Sequence, residues 1–157
     1  MSYIYPAPGV SGQEVTLTLS TAEAGNLAVP AMQDVTVNNA NDVFTWTQLD
    51  EGAKQQIATT ATNSISMNIV VDNTVFFGDS GATSGSAENL GLYGLSRDKT
   101  LVTFELFFGN ESDTGNAAAT LSGEGYVTGL APTVSADSPV WVSPVTITVD
   151  GEYTLSN

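Results

Sequence analysis

The residues of this chain best suited to chemistry are acids: Asp50 beside Glu51, Asp98 between Arg97 and Lys99, and those of the stretch NESDTGN at 110–116. Paired carboxylates act as general acid and base, or as acid and nucleophile, in glycoside hydrolysis. That chemistry needs two carboxyls held on either side of a scissile bond, and neither spacing is diagnostic of it. Histidine and cysteine are both absent, which removes the commonest general base, the commonest transition-metal ligand, and every disulfide or thiolate site. What survives of a hydrolytic reading is a carboxylate-using glycosidase fragment, and solvated loop charges explain the same acids better. No catalytic residue and no enzyme are expected.

Oxygen-ligand metal sites and phosphate cradles fare no better. Asn110, Glu111, Asp113 and Asn116 offer side-chain oxygens next to a glycine, without the regular alternation or the terminal bidentate glutamate of a calcium loop. A polar hairpin tip is the plainer reading. GDSGATSG at 78–85 is rich in glycine but has no lysine after it and none of the phosphate-loop spacing. No metal and no cofactor are expected.

Charge narrows the partners. Seventeen acids stand against three bases, Lys54, Arg97 and Lys99, for a formal charge of −14 at pH 7. Proteins grip nucleic acid by neutralising phosphates with Lys and Arg, so this chain is no such grip, and it is equally unsuited to an anionic membrane. A surface of this sign is one that a polyanion passes without sticking. Many copies can meet only where a cation of one finds a carboxylate of another, and Lys54 is the base to watch, since Arg97 and Lys99 also suit the negative end of a helix. The acids are scattered and 41% of the residues are apolar, so the chain is not a disordered acidic tail. Its start, MSYIYPAPGV, lacks the basic and apolar regions of a secretory signal, and no apolar window approaches a membrane span. A soluble, cytosolically made protein of one domain over 1–157 is expected.

The elements that must position any site are strands. MSYIYPAPGVSGQ, 1–13, should be an extended arm whose Tyr3 and Tyr5 need a surface to lie on. EVTLTLS alternates strictly, AGNLAVPAM punctuates, MQDVTVN and VFTWTQ read as two strands joined by a turn at NNAND, and a polar connection runs over 49–61. NSISMNIVV has one dry side, with Ile65, Met67, Ile69 and Val71 on it. Ser86 caps a helix over AENLGLYGLSR, which Gly91 and Gly94 weaken by about 1 kcal/mol each, so it needs a sheet to pack on. TLVTFELFFG is the strongest strand, and ATLSGEGYVTGLAPTVS and SPVWVSPVTITVDGEYTLS follow, the last with a sharp turn at Asp150–Gly151. The sum is all-β: roughly eight strands in an antiparallel β-sandwich or barrel with one short flanking α-helix. The two tryptophans, Trp46 and Trp141, are expected in core packing.

In this order the elements resemble the tail tube proteins of long-tailed bacteriophages. The likeness runs over nearly the whole chain and is carried by DVFTWTQLDEGAKQQIATTATNSISMNIVV, TLVTFELFF, and the ending GEGYVTGLAP followed by SPVTITVDGEYTL. The resemblance implies a sandwich whose copies join edge to edge into hexameric rings, stacked into a tube through which double-stranded DNA passes without specific binding. It implies tape measure, tail terminator and baseplate proteins as partners, and a place in the virion tail after assembly in the host cytoplasm. By position, the loop that reaches the next ring is 49–61, with Asp50, Glu51, Lys54, Gln55, Gln56 and Ile57 as contacts and Tyr3 and Tyr5 as arm contacts. Thr16, Thr18, Ser66, Asn68, Thr103 and Glu105 are the polar positions suited to line a wet lumen. The competing reading is a binding module: a capsid decoration or receptor-binding sandwich, or a carbohydrate-binding domain with Trp46 and Trp141 as a sugar platform.

Overall fold

The computed structural model describes residues 14–29, 32–50, 52–109 and 119–156. The expected arm with Tyr3 and Tyr5, Glu51, and the polar loop 110–116 lie outside the described residues.

Alternation in EVTLTLS produces β1 (Glu14–Ser20), with Leu17 and Leu19 fully buried and Thr16 exposed between strand neighbours. The same period of two shapes β2 (Asn26–Val29), β3 (Met32–Thr47), β4 (Lys54–Val70), β5 (Val102–Gly109), β6 (Ala119–Leu130), β7 (Thr133–Ser135) and β8 (Ser138–Ser156). They form an eight-stranded sheet in the order β2-β1-β5-β6-β8-β4-β3, with β7 also on β8, and every pairing is antiparallel. The expected all-β antiparallel class holds.

One face of this sheet is dry. Leu17 and Leu19 of β1, Ile65, Met67 and Ile69 of β4, Phe104 and Leu106 of β5, and Val145 and Ile147 of β8 join Phe76, Leu92 and Leu95 of the helices in one apolar cluster. Each such side chain contributes about 1.5–3 kcal/mol by leaving water. The helices, α1 (Asn73–Phe77) and α2 (Ala87–Arg97), lie against β1, β2 and β6. The buried residues of β4 and β8 belong to the same apolar cluster as those of β1 and β5 beneath the helices.

Five local expectations change. NLAV, expected as punctuation, is a strand because Leu27 and Val29 alternate inward against β1. NNAND does not reverse the chain: β4 runs alongside without a break, so the backbone groups there pair across the ladder and the misfit is absorbed as a register shift between Asn41 and Val43. Residues 49–61 are not one loop, since only the segment between β3 and β4 turns and Lys54 onward is strand. Asp150–Gly151 is not a turn either; β6 pairs on both sides of it, and the extra residues are bulged out at Gly151, whose φ is +80°. Finally, there are two helices among the described residues, the added one being the five-residue α1.

Both helices are capped as their sequences dictate. Asp72 Oδ1 accepts hydrogen bonds from the backbone N–H of Thr74 (3.0 Å) and Val75 (3.2 Å) and from Thr74 Oγ1 (2.7 Å). These bonds, the Thr74 hydroxyl foremost, hold the Asp72 carboxyl below its ordinary pKa. Ser86, fully buried, accepts from Asn89 N at 3.1 Å, and Glu88 stands in the first turn of α2. Ser86→Ala leaves that N–H without its partner and is expected to lower the free energy of unfolding by about 1–2 kcal/mol in urea titrations, with an unchanged m-value.

Candidate assembly surfaces

From Ser64 to Ile69, β4 is paired on both sides, to β3 and to β8. Before Ser64 it has β3 alone, from Thr62 opposite Ala40 down to Lys54 opposite Thr47. The two strands thus leave the sheet as a ribbon, about 30 Å long at the usual rise per strand residue. Little of it is covered. Phe44 is 59% exposed and Ile57 55%, Val43 is exposed as well, and Leu49 at the reversal is fully so. The register sets Phe44 opposite Ile57 and Trp46 opposite Gln55 on one face, with the Phe44 and Trp46 rings stacked at a centroid distance of 5.9 Å. The other face carries Val43 with Ala58, Thr45 with Gln56, and Thr47 with Lys54. An isolated two-stranded ribbon is marginal in water, and one that displays an aromatic face has the composition of a contact surface.

The expected contact residues divide over this ribbon. Asp50 is at the reversal, Lys54 and Gln56 share one face, and Gln55 and Ile57 share the other. Val43, Phe44 and Trp46, from the facing strand, join them and were not anticipated. Their signal was present in the alternation of VFTWT, which reads the same for a strand half-buried in a core and for one that waits for a neighbour.

The second surface is the wet face of the sheet. Thr16 and Thr18 on β1, Thr103 and Glu105 on β5, and Ser66 and Asn68 on β4 all project opposite to the core, so the six polar positions lie on one continuous face. Across it Thr18 pairs with Glu105, Glu105 with Ser122, Thr103 with Glu124, and Glu124 with Asp150. Further along, the Thr128 and Thr148 hydroxyls are bonded at 2.9 Å, and Asp34 accepts from Asn68 N (3.0 Å) and Nδ2 (2.8 Å). Apart from Phe107 beside Thr16 and Tyr126 beside Thr148, the face is a field of hydroxyls, amides and carboxylates to which the three bases contribute nothing. Lys54 is out on the ribbon, and Arg97 and Lys99 are at the end of α2. Arg97 Nε donates to Asp98 Oδ1 at 2.9 Å, which raises the guanidinium pKa and lowers that of the carboxyl. Among the described residues Lys54 and Lys99 make no ion pair. No three carboxylates among the described residues gather to hold a metal ion.

The tryptophans correct another expectation. Neither belongs to the buried core; Trp141 is 51% exposed and Trp46 is partly covered on the ribbon. Trp141 accepts a bond from Val71 N at 2.9 Å, level with the end of β4, whereas Trp46 sits opposite Gln55 near its start. The two indoles are thus at opposite ends of one long strand and do not form a joint sugar platform.

No protein-family model and no curated protein matches the sequence. Solved structures do match in fold. A chain in the tail of an empty gene transfer agent particle, determined with C6 symmetry, superposes at a TM-score of 0.62 with 11% identity, covering 91% of this chain and 96% of that one. A chain of the SPP1 tail tube gives 0.60 with 12% identity, covering 94% and 79% respectively. A chain of the PVC sheath–tube complex, an extracellular contractile injection system in its extended state, gives 0.57 with 15% identity, covering 97% and 92%. The chain has the fold shared by these tail and tube assemblies.

Proposed function

We propose that this chain is a structural virion protein that polymerises, as hexameric rings stacked on one another, into a phage tail tube. The observation that carries this reading is the ribbon, a polar-tipped, aromatic-faced projection about 30 Å long at the usual strand rise that stays largely exposed among the described residues. The likeness of fold to chains in a tail of C6 symmetry and in a tail tube supports it.

In this reading copies join through the outer edges of β2 and β3, the ends of the strand order, so that the long unpaired rows of backbone groups are satisfied by a neighbour. The wet face with Thr16, Thr18, Ser66, Asn68, Thr103 and Glu105 lines the bore. Its carboxylates repel phosphate, so double-stranded DNA is conducted without being held. The protein works in the virion tail without catalysis, assembles in the host cytoplasm, and meets tape measure, terminator and baseplate proteins at the ends or inside the tube. Negative-stain microscopy of the purified protein is expected to show rings or tubes of uniform bore. Monodisperse monomers at high protein concentration would overturn the reading.

A further inference from the structure

We infer that the ribbon of one copy docks on the β7–β8 hairpin of the next copy along the tube, covering Trp141 and pairing Lys54 with Asp137. The inference rests on the tube reading and assigns the acceptor that the ribbon lacks. β4 is antiparallel to both β3 and β8, so the register fixes directions: the ribbon leaves from the Ser64/Thr148 end of the β4–β8 pair, and the β7–β8 hairpin lies at the Val70/Val142 end. Lys54 and Val71 are separated by an extended span of about 55 Å at the usual strand rise. The two features therefore face opposite ways along one axis, and a contact between them joins copies head to tail. Such a heterologous contact propagates without limit, as a tube requires and a closed dimer does not.

The chemistry of the two ends matches. The ribbon presents Phe44, Ile57 and Trp46. The hairpin presents Val134 and Trp141, which adjoin the paired residues Thr133 and Val142 and are both about half exposed. Apolar residues left in water at each end of a chain, with an aromatic on both, are the composition of a buried contact centre. Charge completes the fit. Lys54 stands on the first rung, at the tip of the ribbon and on the face away from Phe44 and Trp46, without an ion pair among the described residues, and Asp137 is exposed in the turn that joins β7 to β8, so the two charges meet where the hairpin turn passes the ribbon tip. On a chain of charge −14, a cation at one end and a carboxylate at the other select the head-to-tail approach over approaches that bring like charges together.

Two features of the sequence make the test direct, because the chain has no cysteine and only two tryptophans. Trp46→Phe leaves Trp141 as the sole indole. On assembly its emission is expected to move to shorter wavelength and to lose most of its quenching by acrylamide. Independently, an oxidised equimolar mixture of Lys54→Cys and Asp137→Cys chains, otherwise native, is expected to give a disulfide-linked dimer that neither variant gives alone. Tubes in which Trp141 stays as quenchable as in the monomer and the mixture yields no dimer would sink the docking site while leaving the tube reading intact. A chain that forms neither tubes nor cross-links under any condition would sink both.

Discussion

A chain from which residues 43–58 are excised, with Asp42 joined to Thr59 through an Asn-Gly turn, is expected to fold with nearly unchanged stability and to form no tubes. The segment is removed as whole rungs, Val43 with Ala58 through Thr47 with Lys54, so that no strand is left without its partner. None of its described side chains belongs to the apolar cluster, and Val43, Phe44 and Ile57 are more than half exposed. The folded monomer loses little that it was using. A change under about 1 kcal/mol would move the melting temperature by no more than about 4 °C. Assembly loses much more. If Phe44, Trp46 and Ile57 are covered in the tube, each contributes about 1.5–3 kcal/mol to the contact, and every 1.4 kcal/mol is a factor of about ten in the concentration at which copies associate. Removing all three should raise that concentration by several orders of magnitude. Calorimetry and sedimentation on one preparation separate the two effects, and tubes of ordinary appearance from the shortened chain would show that the ribbon is not the handle.

The largest loss of stability is expected at a residue with no side chain. Gly91 interrupts α2 at φ 64° and ψ 176°, a backbone region open in practice only to glycine. Its reason is contact: a Cβ built there would run into the backbone N of Gly78 and lie 2.8 Å from the carbonyl oxygen of Phe76. Gly78 answers in kind, with φ 93° and its own Cα side closed by the backbone of Asn89 and Leu90. The two glycines let the end of α1 and the break in α2 touch backbone to backbone, which seats Phe76 beside Leu92 and Leu95 in the core. Gly91→Ala adds backbone strain of about 1–3 kcal/mol and forces a shift in packed backbone of about the same cost. The sum, about 2–6 kcal/mol, is a large share of the stability of a small domain. Denaturant titration is expected to show the midpoint fall with little change in m-value. A loss under about 1 kcal/mol would mean that the two helices separate freely.

Legibility followed the range of the physics. Strands with a period-two pattern were readable because alternation is a local consequence of the pleat: EVTLTLS, NSISMNIVV and TLVTFELFF each show their dry side in seven to nine letters. The Ser86 cap was readable for the same reason, since donor and acceptor are three residues apart. Turn residues misled. NNAND and Asp150–Gly151 carry side chains that favour reversal, but whether a chain reverses there depends on whether a neighbouring strand continues past, and β4 and β6 both do. The polar stretch over 49–61 misled in the opposite sense, because strand propensity is weak beside the ladder that β3 offers to Lys54 through Ala61.

What the sequence determined by itself is the set of exclusions and the grain of the fold. With no histidine, no cysteine and three bases among 157 residues, the commonest routes to catalysis, thiol chemistry and phosphate binding were closed before any coordinate was known. The alternating strands required a sheet with one dry face and one polar face. Tertiary structure decided where that sheet ends. Phe44, Trp46 and Ile57 alternate as well as any core strand, and nothing local separates them from Ile65, Met67 and Ile69 farther along the same strand pair. The difference is that β8 lies beside the second set and stops short of the first. Burial is conferred by what packs on a residue, which is a property of distant chain. For that reason the same pattern makes a core at one end of β4 and an adhesive surface at the other.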